Sequence, residues 1–175
     1  VIAAPDFFDW LEANVDPLLA QDPAALGHAV AVSCRTKAEL VAEDERESGR
    51  RAILNFGHTF GHAIEALTGY TRYLHGEAVA IGMVQAADLS VRLGTLDILE
   101  ARRIRVLLER CGWPVVPPAL TPEAMLEAMG MDKKVVDGAL RLVVARRLGE
   151  AHVTADAPRQ RLIETLSAGE ALCDG

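Results

Sequence analysis

The sequence predicts an all-α fold, a helical bundle that carries one small β-hairpin. Three observations lead there. Apolar residues recur at helical spacing through most of the 175 residues. Proline, glycine and short acidic residues punctuate these segments where helices start and stop. Strand-like composition is confined to one place, Leu140 to Ala155.

The elements follow in order. Pro5 to Asn14 reads as a short amphipathic helix with Phe7, Phe8 and Leu11 on its apolar face. Asp16-Pro17 and Asp22-Pro23 both have the form of a cap followed by a first-turn proline. The second opens a long helix to about Val41, with Leu26, Val30, Cys34 and Val41 expected on its buried side and Lys37 beside that stripe. Asp44 to Arg50 is a charged connection. Arg51 to Leu67 holds a histidine-bearing helix, and Gly69 ends it. Gly76 to Leu93 is apolar almost all round, as a helix buried within a bundle is. Gly94 stops it, and Thr95 is expected to cap the next, Leu96 to Cys111. Thr121-Pro122 starts a short helix ending at Gly130, and Met131 to Lys134 follow as a loop. Leu140–Arg147 and Ala151–Ala155 pair as a hairpin, and Pro158 opens a last helix through Leu166.

Composition narrows the function. Half of the residues are hydrophobic and the net charge is −7, which argues against nucleic acid or an anionic membrane as partner. No apolar run is long enough to span a bilayer. Cys34, Cys111 and Cys173 are odd in number and fit no disulfide or metal framework, so a reducing, cytoplasmic setting is expected. There is no Gly-x-Gly-x-x-Gly strand–turn–helix unit for a dinucleotide.

The chemistry concentrates between Arg51 and Gly82, RAILNFGHTFGHAIEALTGYTRYLHGEAVAIG. His58 and His62 lie four apart, on one face of a helix, with Glu65 on the same face and His75 returning after a short loop. Two imidazoles at i and i+4 with a third from a neighbouring segment suit a divalent metal with open positions. A lone His-x-x-x-His is as often an ordinary pair of core or surface histidines. Gly57 and Gly61 each cost about 1 kcal/mol against alanine within a helix. Their place beside the histidines suggests a backbone or ligand coming close there. Spacing alone makes His58, His62 and Glu65 a one-helix ligand set. If the helix already runs at Arg51, then Arg51 and Asn55 join His58 and His62 on one stripe.

These residues resemble a known family. LNFGHTFGHAIE followed by YLHGEAVAIGM is similar to the C-terminal domain of the 3-dehydroquinate synthase family, and the likeness runs from FFDWLEAN through KAELVAEDERESGRRAILNFGHT to MDKK. The resemblance implies an α-helical domain, residues 1–175, that binds metal and substrate. It also implies a separate N-terminal NAD-binding domain, absent from this chain, and a homodimeric full enzyme. The implied reaction converts a phosphorylated sugar acid, 3-deoxy-D-arabino-heptulosonate 7-phosphate, to 3-dehydroquinate and phosphate. NAD oxidises a ring hydroxyl and is regenerated, and zinc polarises the neighbouring oxygens.

The resemblance also implies roles. His58 and His75 are zinc ligands, which displaces the one-helix set, and His62 contacts substrate and assists proton transfer. Lys37, Arg51, Asn55 and Lys134, the last preferred over Lys133, bind the substrate's carboxylate and phosphate. The third zinc ligand of the family, a glutamate, would fall just before Val1, so this piece alone is expected to fold without turning over. Two other readings stand beside this one: a related sugar-phosphate cyclase or metal-dependent alcohol dehydrogenase, and a non-enzymatic module that keeps these residues as relics.

Overall fold

The computed structural model describes residues 1–44, 49–131 and 140–174. It is helical, with a single two-stranded antiparallel sheet among the described residues. The helices are α1 (Pro5–Ala13), α2 (Val15–Leu19), α3 (Pro23–Glu43), α4 (His58–Leu67), α5 (His75–Arg92), α6 (Ile98–Arg110), α7 (Pro122–Met131) and α8 (Arg159–Ser167). A 3-10 turn, Arg50–Asn55, precedes α4, and a second, Gly169–Ala171, follows α8. The strands β1 (Leu142–Arg147) and β2 (Glu150–Thr154) pair Val143 with Val153 and Val144 with His152. No helix among the described residues is long and apolar enough to cross a membrane.

Helix α5 is the axis of the bundle, packed against α4, α6, α8 and β1. Its small and branched residues let neighbours approach from several sides; Ala78, Ile81, Val84, Ala86, Ala87 and Leu89 are all fully buried. Two polar residues of α5 tie other elements to it. The buried Asp88 accepts from Arg92 Nε at 2.6 Å, from Thr165 Oγ1 of α8 at 2.8 Å and from the Cys173 backbone N–H at 3.0 Å. A buried carboxylate is tolerable only with such a full set of donors. Ser90 Oγ accepts from the Ala145 N–H at 2.9 Å, and Thr95 Oγ1 donates to the Ala145 carbonyl at 2.8 Å. These side chains supply the backbone partners that β1 lacks on its outer edge.

Caps agree with the sequence in some places and move in others. Asp22 caps α3 by accepting from the Ala25 N–H at 2.8 Å, and Thr121 caps α7 through Ala124. Asp16 does not start α2; it lies in the first turn, and Asn14 holds the cap position without a side-chain bond to the helix. Asp97, not Thr95, caps α6, accepting from Leu99 N–H at 2.7 Å, because Thr95 is already committed to β1.

Helix α3 faces otherwise than its apolar residues suggest. Leu26 is 39 % exposed, Val30 60 % exposed, and Cys34 is also on the surface. The side turned inward carries Ala25, Ala29, Val32, Thr36 and Leu40. That stripe is smaller and less hydrophobic, which suits a helix lying close along the 3-10 turn and α2.

In the hairpin, Nδ1 of His152 is buried without a hydrogen-bond partner among the described residues. Burial, assisted by the Arg146 guanidinium and opposed by Glu150, pushes this imidazole below its ordinary value. The unfolded chain therefore binds this proton more readily than the folded one. Stability is fully present above the ordinary histidine value, near 6.5, and is lost as pH falls from there through the folded value. Urea titrations across that acid limb are expected to show a shallower loss in His152→Phe than in the unmodified chain.

Candidate metal and substrate site

The site is built where α4 meets α5. Gly57 adopts φ +81°, the left-handed region, and turns the chain sharply into α4 so that His58 is the first helical residue. Arg51 and Asn55 therefore do not continue the histidine stripe; they lie on the separate 3-10 turn. Asn55 is not the cap of α4, since Gly57 holds that position with no side-chain bond. Leu74 is extended, its N–H held by the Glu77 carboxylate at 2.8 Å, and His75 is the first residue of α5. Two helix starts thus deliver the histidines to one place.

Close packing fixes the two starts relative to each other. A Cβ at Gly57 would lie 2.6 Å from the Met83 backbone N, and one at Gly61 would lie 3.0 Å from Val79 Cα. A Cβ at Gly82 would strike the Gly57 carbonyl oxygen. These glycines serve the crossing of α4 and α5: of the two approaches expected beside the histidines, a backbone or a ligand, the structure shows that of the α5 backbone. Nothing in the sequence marks Gly82 for this part, because its neighbours read as an uninterrupted buried helix.

The three imidazole rings stand nearly equidistant, although His58 is outside the group whose ligand-capable atoms lie closest together. Ring centroids are 5.6 Å apart for His58 and His62, 5.6 Å for His58 and His75, and 5.7 Å for His62 and His75. An imidazole bound through nitrogen places its centre about 3 Å from a metal, so two rings sharing one tetrahedral ion sit about 5 Å apart. The observed spacing is close to that. Glu65, buried on α4, brings both carboxylate oxygens to 3.2 Å from His75 Nδ1. Ligand-capable atoms of His62, Glu65 and His75 all lie within 4.8 Å of one another. Nitrogen and oxygen donors of this kind suit zinc or a similar divalent ion, and the cluster fits such an ion.

Lys37 lies on α3, and Arg51 and Asn55 on the turn packed against it. Lys37 is exposed and lines a hollow of about 190 Å³ with Ser33, Thr36 and Leu54. His58 lines a neighbouring apolar cavity of about 360 Å³ with Met83 and Trp113. Both are walled by Phe7, Phe8, Leu11 and Leu54. Arg51 and Asn55 are half-buried, and the Arg51 N–H donates to Asp44 at 3.1 Å. Lys133 and Lys134 lie outside the described residues.

The model of the 3-dehydroquinate synthase C-terminal family matches residues 1–135. The chain belongs to that family. It is 56 % identical over 166 residues to the 3-dehydroquinate synthase of Halorhodospira halophila, covering 95 % of this chain and 47 % of that protein. With the 3-dehydroquinate synthase of Methylococcus capsulatus it shares 61 % over 151 residues, 86 % of this chain and 42 % of that one. The chain therefore spans about half the length of these relatives. Among solved structures, 2-epi-5-epi-valiolone synthase from Streptomyces hygroscopicus subsp. jinggangensis, with NAD+ and Zn2+ bound, superposes with a TM-score of 0.84 at 25 % identity, over 99 % of this chain and 48 % of that chain. A 2-deoxy-scyllo-inosose synthase complexed with carbaglucose-6-phosphate, NAD+ and Co2+ shares the fold, with a TM-score of 0.71 at 23 % identity, over 84 % of this chain and 42 % of that one.

Proposed function

We propose that this chain is the metal- and substrate-binding half of a 3-dehydroquinate synthase, a phosphate-eliminating lyase of the shikimate pathway. In the full enzyme, an NAD-binding half would complete the site, and 3-deoxy-D-arabino-heptulosonate 7-phosphate would become 3-dehydroquinate and phosphate. The observation that carries this reading is the trio of imidazoles at nearly equal spacing across the α4–α5 crossing, in a chain of this family. His58 and His75 would hold the divalent ion. Once bound, that ion supplies Lewis-acid polarisation of substrate oxygens. His62, beside them, would pass a proton to or from the substrate. Lys37, Arg51, Asn55 and Lys134 would hold the carboxylate and phosphate, since a doubly anionic substrate in an acidic protein needs fixed cationic and amide donors. A homodimer and a cytoplasmic setting belong to the same proposal, the latter because Cys34, Cys111 and Cys173 are free thiols.

A related cyclase specificity is favoured only by structural likeness at 25 % identity, well below the 56 % shared with a 3-dehydroquinate synthase. The test is phosphate release from the heptulosonate phosphate in the presence of NAD and Zn2+. The chain fused behind the part of the Halorhodospira relative that it does not cover is expected to turn over, and the 175-residue chain alone is expected to give none. Turnover by the chain alone would overturn the assignment of NAD binding to another segment. A fused enzyme active only on a different cyclitol precursor would overturn the substrate.

A further inference from the structure

We infer that Glu65 is a positioning residue that fixes the tautomer and orientation of His75 for metal binding, an inference that rests on the assignment of His75 as a ligand. Glu65 is only 8 % exposed, and both of its oxygens lie 3.2 Å from one atom, Nδ1 of His75. A carboxylate taken out of water needs a donor, and a neutral imidazole offers one only from the nitrogen that carries its proton. The contact therefore selects the tautomer protonated on Nδ1 and leaves Nε2 as the lone pair of the ring. Packing covers the ring only on the side of His58 and His62, and the His75 side chain is 58 % exposed at the first residue of α5. The carboxylate supplies the directional contact. It stands on α4, three residues after His62, so one helix carries both an imidazole of the cluster and the group that aims another. A carboxylate behind a ligating histidine sharpens its orientation and raises its basicity.

The competing role is direct ligation, since Glu65 shares a 4.8 Å cluster with His62 and His75. The two are separable. Nitrogen NMR on the metal-free chain, at a pH where the imidazole is neutral, is expected to show His75 protonated at Nδ1. In Glu65→Ala the ring should shift toward the Nε2-protonated form, and the Zn2+ affinity of the fused enzyme, measured by competition with a chromophoric chelator, should fall about 10- to 100-fold. Glu65→Gln keeps an acceptor and should restore the tautomer and part of the affinity. In a His75→Ala background, Glu65→Ala should cost no further affinity. An Nε2-protonated His75 in the unmodified chain, or a tautomer unmoved by Glu65→Ala, would overturn the inference. A further loss of Zn2+ in the His75→Ala background would overturn it in favour of direct ligation. Failure of the fused enzyme, in which the upstream segment is restored, to take up Zn2+ would sink the ligand assignment instead, while the tautomer still decides what Glu65 does to His75.

Discussion

In an assembled enzyme, His58→Ala is expected to lose its zinc, whereas His62→Ala keeps zinc and loses turnover. Both side chains come from one face of α4 with ring centres 5.6 Å apart, so helical spacing alone predicts that they act alike. The difference rests on the family resemblance. Losing one protein ligand from a small set removes a bond and leaves the remaining donors around an open site, so metal binding should weaken by orders of magnitude. Losing a group that moves a proton leaves the ligand set intact and slows the chemical step by about 10²- to 10⁴-fold. Metal analysis after dialysis, set beside the rate of phosphate release, separates the two. Equal zinc loss from both variants would restore the one-helix ligand set of His58, His62 and Glu65.

Much of this arrangement is legible in the sequence because the helices near the site are strongly patterned. Helix α5 reads as buried all round, and from Ala78 to Ser90 it is, except at Val79 and Met83, which are half-buried and line the cavity beside His58. The hairpin is legible for the opposite reason: β-branched residues gather in one stretch around Gly149, whose φ of +88° makes the turn. What escapes the sequence is mostly direction. On α3, Leu26 and Val30 lie on the expected core face, yet the helix is covered on one narrow side only, where Ala25 and Leu40 are the buried residues. Hydrophobicity alone does not tell which of two faces carrying a leucine is the covered one. Glu65 escapes in a similar way. Its spacing from His62 places it correctly on the histidine face, but its bond crosses to another helix, to His75. Spacing within one helix carries no information about a partner on the next. The break at Gly57 is a third case: an Arg51–His62 stripe requires a continuous helix, and the glycine's positive φ ends that continuity.

The largest loss of stability is expected from Gly82→Ala. The added methyl would collide with the Gly57 carbonyl oxygen and lie 2.8 Å from the Gly61 N. Neither atom can swing aside, because both are backbone. They are also the acceptor and donor of the first hydrogen bond of α4, at 2.9 Å. Relief therefore requires α4 to move away from α5 as a unit, opening the packed face that includes Phe60 and Ile64, both buried. Overpacking of this kind costs about 1–3 kcal/mol where side chains can yield, and more where backbone must. At least about 3 kcal/mol is expected here, a large part of the roughly 5–15 kcal/mol typical of a folded domain. His58 and His62 would shift with α4, so any Gly82→Ala chain that folds should also bind Zn2+ more weakly. Gly27 gives the opposite sign. It sits within α3, and no atom lies within 4 Å of where an added methyl would stand, so Gly27→Ala should gain roughly 0.5–1 kcal/mol from helix propensity alone. Urea denaturation of the two variants beside the unmodified chain checks both signs. A Gly82→Ala chain as stable as the original would mean that α4 and α5 do not cross as closely as these glycines require.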